Sequence, residues 1–265
     1  FTIGAAAIVA GTIASLGASL GGTALAQDPY RVVYVMSDNL GDKSFNDNAA
    51  EGLRRIEAEG GEAKFLQASP ADPQLWLQNL QAVSADGGWN IIFTGPGMHD
   101  NLAGVAPQYP DQKYVFFDDA LELPNVLSVK YAQNEGSYLA GALAAIVATD
   151  KADFPLISDS KTVGLVAGMD IPVIQDFIAG FRSGVAAVDP TVEVQVAFIG
   201  SFSDAQKGYD LSMSVFAGGV DIIYNVAGGA GLGILKAAED SNKYAIGVDS
   251  DQNGRHPAHV VASMV

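Results

Sequence analysis

The sequence predicts an α/β protein built on two parallel β-sheets, each flanked by helices. Three observations lead there. From Asp28 onward, short β-branched and aromatic runs alternate with longer segments of helical periodicity, joined by Gly, Pro, Asp or Ser turns. Runs such as NIIFTG, KYVFFDD and DIIYNVAG are apolar almost without interruption, as strands are when helices cover both faces of their sheet. About ten strands are many for one open sheet, and the chain changes character near Val126–Asn134, where VLSVKY gives way to an Ala- and Gly-rich helical segment. Alternation of β and α segments dictates parallel strands joined by right-handed crossovers.

In chain order, the first strand is expected over Arg31–Asp38. The helix after it covers Phe45–Gly60, with Phe45, Ala49, Leu53 and Ile56 at helical spacing and Arg54, Arg55, Glu57 and Glu59 on the remaining faces. Strands over Glu62–Ala68 and Asn90–Gly95 bracket a helical stripe in Pro73–Ser84, and strands over Lys113–Asp119 and Val126–Tyr131 follow. A helix over Ser137–Val147 leads into DKADFPLISDS, the longest polar connection, and then to a strand over Thr162–Gly168. Helices over Val173–Val185 and Ala205–Phe216 flank a strand over Glu193–Gly200, and strands over Asp221–Gly228, Tyr244–Ser250 and His259–Val265 complete the set. The first lobe is expected over residues 28–130 with about 250–258, and the second over 131–249 with about 259–265.

Charge and composition narrow the function. Thirty Asp and Glu against 14 Lys and Arg leave a net charge of −16, which disfavours nucleic acid or anionic lipid as a partner. The chain has no Cys, so disulfides, thiolate metal sites and thiol catalysis are excluded. Residues 1–26 carry no charge, are rich in Ala, Gly, Ser and Thr, and end in Ala24-Leu25-Ala26, an A-x-A cleavage pattern. They read as part of an export signal rather than a membrane anchor, and with no Cys to carry a lipid the mature protein is expected free in a periplasm-like space.

In open parallel sheets, ligands bind at the carboxyl ends of the strands. Those ends carry Asp38, Asp118-Asp119, Gly168-Met169-Asp170, Gly200-Ser201-Phe202, Ala227-Gly228-Gly229 and Asp249. Phe45 and Phe202 each sit just past a strand, one in each lobe. A ligand matching this set has a flat apolar face for two rings and several OH or NH donors for carboxylates, as a nucleoside does. A phosphate would be repelled. Each residue also has a plainer reading: Phe45 as the first core residue of its helix, Asp42 or Ser44 as an N-cap, Asp118 and Asp249 as turn formers. His99, His256 and His259 lack metal-ligand spacing, no Gly-x-Ser-x-Gly elbow is present, and AGGAGLG does not match the dinucleotide fingerprint. No cofactor is expected.

Several segments together resemble one family, the basic membrane protein family of substrate-binding proteins, which includes the purine nucleoside receptors of ABC transporters. The matching pieces are GDKSFND (41–47), FFDD (116–119), NEGSYLAGALAA (134–145), VGLVAGMDIPVIQDFIAGFRSGV (163–185), GSFSDAQKG (200–208), DIIYNVAGGAGLG (221–233) and IGVDSDQ (246–252). DKSFN with GMDIPVI is the specific pair. The resemblance implies a type I periplasmic binding fold of two Rossmann-like lobes joined by a multi-crossing hinge, acting as a monomer with a membrane permease as partner and no enzymatic step. It implies Phe45 and Phe202 sandwiching a base, Asn46 and Asp38 with neighbouring Asn39 at the base edge, Asp118 and Asp249 on ribose hydroxyls, and contacts from Met169 and the Gly228 backbone. Three departures stand out: the Asp38–Asp42 loop is short, Ala230 replaces the family's Thr, and the family continues past the last strand into a Lys-bearing segment, so the chain is expected to lack its C-terminal part. Riboflavin or another heterocycle-polyol is the alternative ligand on the same fold. An exported nucleoside-cleaving enzyme is the alternative from another class.

Overall fold

A computed structural model describes residues 29–265, so the expected export signal lies outside the described residues. The first five strands are β1 (Arg31–Val35), β2 (Glu62–Leu66), β3 (Ile91–Thr94), β4 (Tyr114–Phe117) and β5 (Val126–Val129). They form one parallel sheet in the order β2-β1-β3-β4-β5. The second sheet comprises β6 (Thr162–Ala167), β7 (Glu193–Phe198), β8 (Ile222–Val226), β9 (Tyr244–Val248) and β10 (Val260–Met264), in the order β10-β9-β8-β6-β7, also parallel. Each observed strand lies inside one of the ten expected from the sequence.

Helices α1 (Phe45–Ala58), α2 (Pro73–Asp86), α3 (His99–Val105), α4 (Gln133–Thr149), α5 (Pro172–Val188), α6 (Ala205–Ala217) and α7 (Gly231–Asp240) provide the cover. Two were not visible as amphipathic stripes. The seven-residue α3 is too short to show a period, and α7 opens inside the Gly-rich turn with Gly231, Gly233, Ile234, Leu235, Ala237 and Ala238 buried almost all round.

Burial follows the two-faced reading of the strands. Along β1, Val33 and Val35 join Leu80, Ile92, Leu102 and Phe116 in one cluster, while Val32 and Tyr34 join Leu53 and Phe117 in another. In the second sheet, Leu165, Tyr224 and Ile246 pack with Phe177 and Phe181, and Val166, Ile223 and Ala245 pack with Ile234 and Leu235. All five residues of β8 and of β9 are buried, as a strand sandwiched between helix layers must be. In both sheets the strand order reverses beside an early strand, between β1 and β3 and between β6 and β8. These reversals open a crevice at the carboxyl ends, because the flanking crossovers leave in opposite directions.

Candidate functional site

A cavity of ≈ 260 Å³ lies at both reversals, lined from the first sheet by Asp38, Asp42, Phe45, Asn46, Pro96, Gly97 and Asp118. The second sheet supplies Met169, Ile171, Val173, Ile174, Phe177, Phe202, Val226, Gly228, Gly229, Val248 and Asp249.

The segment after β1 is held by its own carboxylates. Asp42 accepts the backbone N–H groups of Ser44 (3.0 Å), Asn46 (2.7 Å) and Asp47 (3.0 Å), satisfying donors that the start of α1 would otherwise leave orphaned. Asp47 in turn accepts from the N–H groups of Gly41 (2.7 Å) and Lys43 (3.1 Å). Asp42 is thus the acid that caps this helix, while Ser44 makes no side-chain cap bond. The braced start presents Phe45, whose ring centroid is 5.4 Å from that of Phe117, itself 5.5 Å from Tyr34. Phe45 packs into this cluster on one side and lines the cavity on the other. Beside it, the Tyr34 hydroxyl donates to the Asn46 side-chain oxygen at 2.9 Å, which leaves the Asn46 NH2 as a donor at the cavity wall.

On the second sheet, Phe202 sits in the loop before α6. A Cβ at Gly168 would overlap the Phe202 ring, so the glycine at the end of β6 is what lets the ring lie against the backbone there. The Phe202 carbonyl accepts from Ala230 N–H at 2.8 Å, tying this loop to the Gly228 turn, whose φ of 54° is left-handed.

Two carboxylates follow the strand ends in left-handed backbone, Asp118 at φ 63° and Asp249 at φ 64°. Such conformations cost on the order of 1 kcal/mol or more for a non-glycine residue and cluster at functional sites. Both are held by neighbouring strands: Asp118 N–H donates to Val129 O at 2.7 Å and Asp249 N–H to Met264 O at 2.8 Å. Burial pushes the Asp118 carboxyl up to about 7, with the charges of Asp249 and Asp119 adding to it and Lys130 opposing. Burial likewise raises Asp249 to about 6, against the hydrogen bond from Ser44 and helped by the charge of Asp42. Asp38 is raised by burial too, opposed by the N–H of Asn39.

Four Asp and no Lys or Arg line this cavity. The ammonium of Lys43 is drawn instead to Asp47 at 3.3 Å. The electrostatics therefore suit a neutral or cationic ligand rich in donors, and oppose a phosphate.

Eight of the nine residues picked from the sequence line this one cavity: Asp38, Phe45, Asn46, Asp118, Met169, Phe202, Gly228 and Asp249. Asn39 does not. It is exposed, because the turn after β1 is pinned by Leu40 N–H to the Gln67 side chain at 2.8 Å and points Asn39 to solvent. The apolar wall of Ile171, Val173, Ile174 and Phe177 was missed, as were Pro96 and Gly97. Among the described residues, no group of three His, Cys, Asp or Glu is placed to hold a metal, and no helix is long and apolar enough to cross a membrane.

Comparison with known proteins identifies the family. Residues 30–265 match the family described as ABC transporter substrate-binding protein PnrA-like. A CD4+ T-cell-stimulating antigen of Listeria monocytogenes is 32% identical over 80% of this chain and 60% of its own length. An ABC transporter nucleoside-binding protein, BmpA, of Lactococcus lactis is 30% identical over 82% of this chain and 62% of its own. The chain thus spans about 60% of the length of these relatives. A crystal structure of an ABC transporter solute-binding protein from Aeropyrum pernix superposes with a TM-score of 0.81 at 29% identity, covering 89% of this chain and 66% of that one. The Caulobacter myo-inositol binding protein bound to myo-inositol (TM-score 0.61, 18% identity, 83% and 75% covered) speaks to the fold alone. With the match running from the first described strand to the last residue, the chain belongs to the PnrA-like family of ABC transporter substrate-binding proteins.

Proposed function

We propose that the protein is the solute-binding component of an ABC importer and captures a nucleoside-like ligand, a purine nucleoside above all, between two lobes. The observation that carries this reading is the cavity itself: one Phe from each sheet, four carboxylates and no cation around ≈ 260 Å³. The rings offer apolar faces to a base, Asn46 and Asp38 its hydrogen-bonding edge, and Asp118 and Asp249 two acceptors for ribose hydroxyls. The name of the Lactococcus relative, a nucleoside-binding protein, points the same way.

On this reading no bond is made or broken, and the protein works as a monomer in a periplasm-like space, handing its ligand to a membrane permease. On this reading the lobes divide near residue 130. Residues 250–258, expected with the first lobe, connect β9 to β10 and bond largely to the second, Gln252 to Asn225, Val248 and Ser263 and His256 to Glu239, while Ser250 and Gln252 also reach the Lys43 carbonyl of the first. Hinge closure buries the ligand and commits it to release at the transporter. Calorimetry with inosine, adenosine, guanosine and cytidine, alongside riboflavin, tests the ligand class. Binding of riboflavin with no response to any nucleoside would replace the ligand and leave the transport role. Release of free base during prolonged incubation would overturn the non-enzymatic reading.

A further inference from the structure

The two sheets meet through a short set of polar contacts. The Ser44 hydroxyl, fully buried, donates to Asp249 Oδ2 at 2.5 Å. The Asn48 side-chain amide donates to the Asp249 carbonyl at 3.0 Å. In the other direction, Ser250 Oγ (2.7 Å) and Gln252 Nε2 (3.2 Å) both donate to the Lys43 carbonyl. A Cβ on Gly229 would lie 3.3 Å from Asp42 Cβ, so the two backbones are close to contact here. Every one of these joins the start of α1 to the end of β9 or to the Gly228 turn.

We propose that Ser44 is a positioning residue that couples ligand capture to lobe closure, by holding one oxygen of Asp249 and aiming the other at the ligand. The proposal rests on the ligand-site reading above. Asp249 carries two carboxylate oxygens with room for about four donors. Ser44 occupies Oδ2 from the first lobe, which fixes the rotation of the carboxylate and leaves Oδ1 without a protein donor among the described residues, in a side chain that lines the cavity. Lys43 is in left-handed backbone, φ 54°, and its carbonyl receives both Ser250 and Gln252. Gln252 is itself anchored on the second lobe, its Oε1 accepting from Val248 N–H at 3.2 Å and Asn225 Nδ2 at 3.3 Å. A ligand hydroxyl on Asp249 and the Ser44 hydroxyl thus lock the same carboxylate from two sides. Opening the lobes leaves Asp249 without its Ser44 partner, so a liganded open form is disfavoured.

The test uses Ser44→Ala, with Ser250→Ala as a second variant that removes a closure bond from a residue outside the cavity. The chain has no native Cys, so spin labels at Gln78→Cys on α2 and Ser214→Cys on α6, both exposed, report the distance between lobes without background. With inosine as probe, Ser44→Ala is expected to bind about tenfold more weakly, mostly through faster dissociation, and Ser250→Ala about threefold. Without ligand, both are expected to shift the label distances towards the open form while thermal unfolding stays near that of the parent. Unchanged distance distributions in both variants would overturn the proposal, as would weaker binding by Ser44→Ala at an unchanged dissociation rate. If the parent protein binds no nucleoside, the ligand reading fails, and the ligand-free distances still decide whether Ser44 holds the lobes together.

Discussion

Gly168→Ala is the substitution whose effect follows most directly from the geometry. Gly168 is not in left-handed backbone, so alanine is conformationally allowed and its cost is steric. The added Cβ would fall on Cγ, Cδ1 and Cε1 of Phe202, so that ring must move. Because Phe202 sits in a loop and is only half-buried, the ring can swing away without unfolding β6, whose bonds from Gly200 and Ser201 N–H to the Gly168 carbonyl are backbone only. Losing a stacked ring costs about 0.5–1.5 kcal/mol, so a nucleoside should bind up to about tenfold more weakly, while the overpacking itself falls on stability. The control is the same change in a Phe202→Ala background, where no ring is left to displace. There Gly168→Ala should cost almost nothing, giving a coupling of about 1 kcal/mol between the two sites by isothermal titration calorimetry. Additive losses in the double variant, or parental affinity in Gly168→Ala, would refute the reasoning.

Three further outcomes are expected. Phe45→Ala should weaken nucleoside binding about tenfold in calorimetry while also loosening the cluster with Phe117 and Tyr34, lowering the thermal midpoint. Asp42→Ala removes the acceptor for three N–H groups at the start of α1 and should cost about 1–2 kcal/mol in denaturant unfolding, without need of ligand. Asp118 and Asp249 have folded values of about 7 and about 6 against an ordinary 3.8, so the folded state holds protons that the unfolded chain has lost. Their contribution therefore makes the ligand-free protein less stable as pH rises from about 4 to about 7, and level above that. A thermal-unfolding series in which Asp118→Asn keeps the full slope would contradict this.

How far the molecule could be read from its sequence depends on what each signal resembles. The strands were legible because runs such as YVFF and IIYNV are long, apolar and flanked by turn residues, a pattern that only a covered parallel sheet explains. Helix α7 was not, since a helix buried on nearly every side has no polar face to set a period. At the site, the carboxylates were found by the rule that strand ends converge, and the two Phe by their isolation among polar neighbours. Ile174 and Phe177 escaped because a helix stripe that faces a core and one that faces a cavity have the same spacing. Pro96 and Gly97 carry no charge or aromatic ring, so nothing marked the end of β3. Asn39 failed for the opposite reason: its chemistry suits a base edge, but the direction of a side chain in a four-residue turn is set by the bond from Leu40 to Gln67, which sequence does not reveal.

The central claim is that an all-carboxylate, ring-walled cavity selects a neutral nucleoside. Calorimetric titration of the purified protein with inosine and with inosine 5′-monophosphate, under identical conditions, tests it most directly. The account predicts saturable binding of inosine at about micromolar Kd or tighter, and binding of the monophosphate at least about 100-fold weaker, because its phosphate meets four carboxylates and no cation. Equal affinity for the two, or binding of the monophosphate alone, would contradict it.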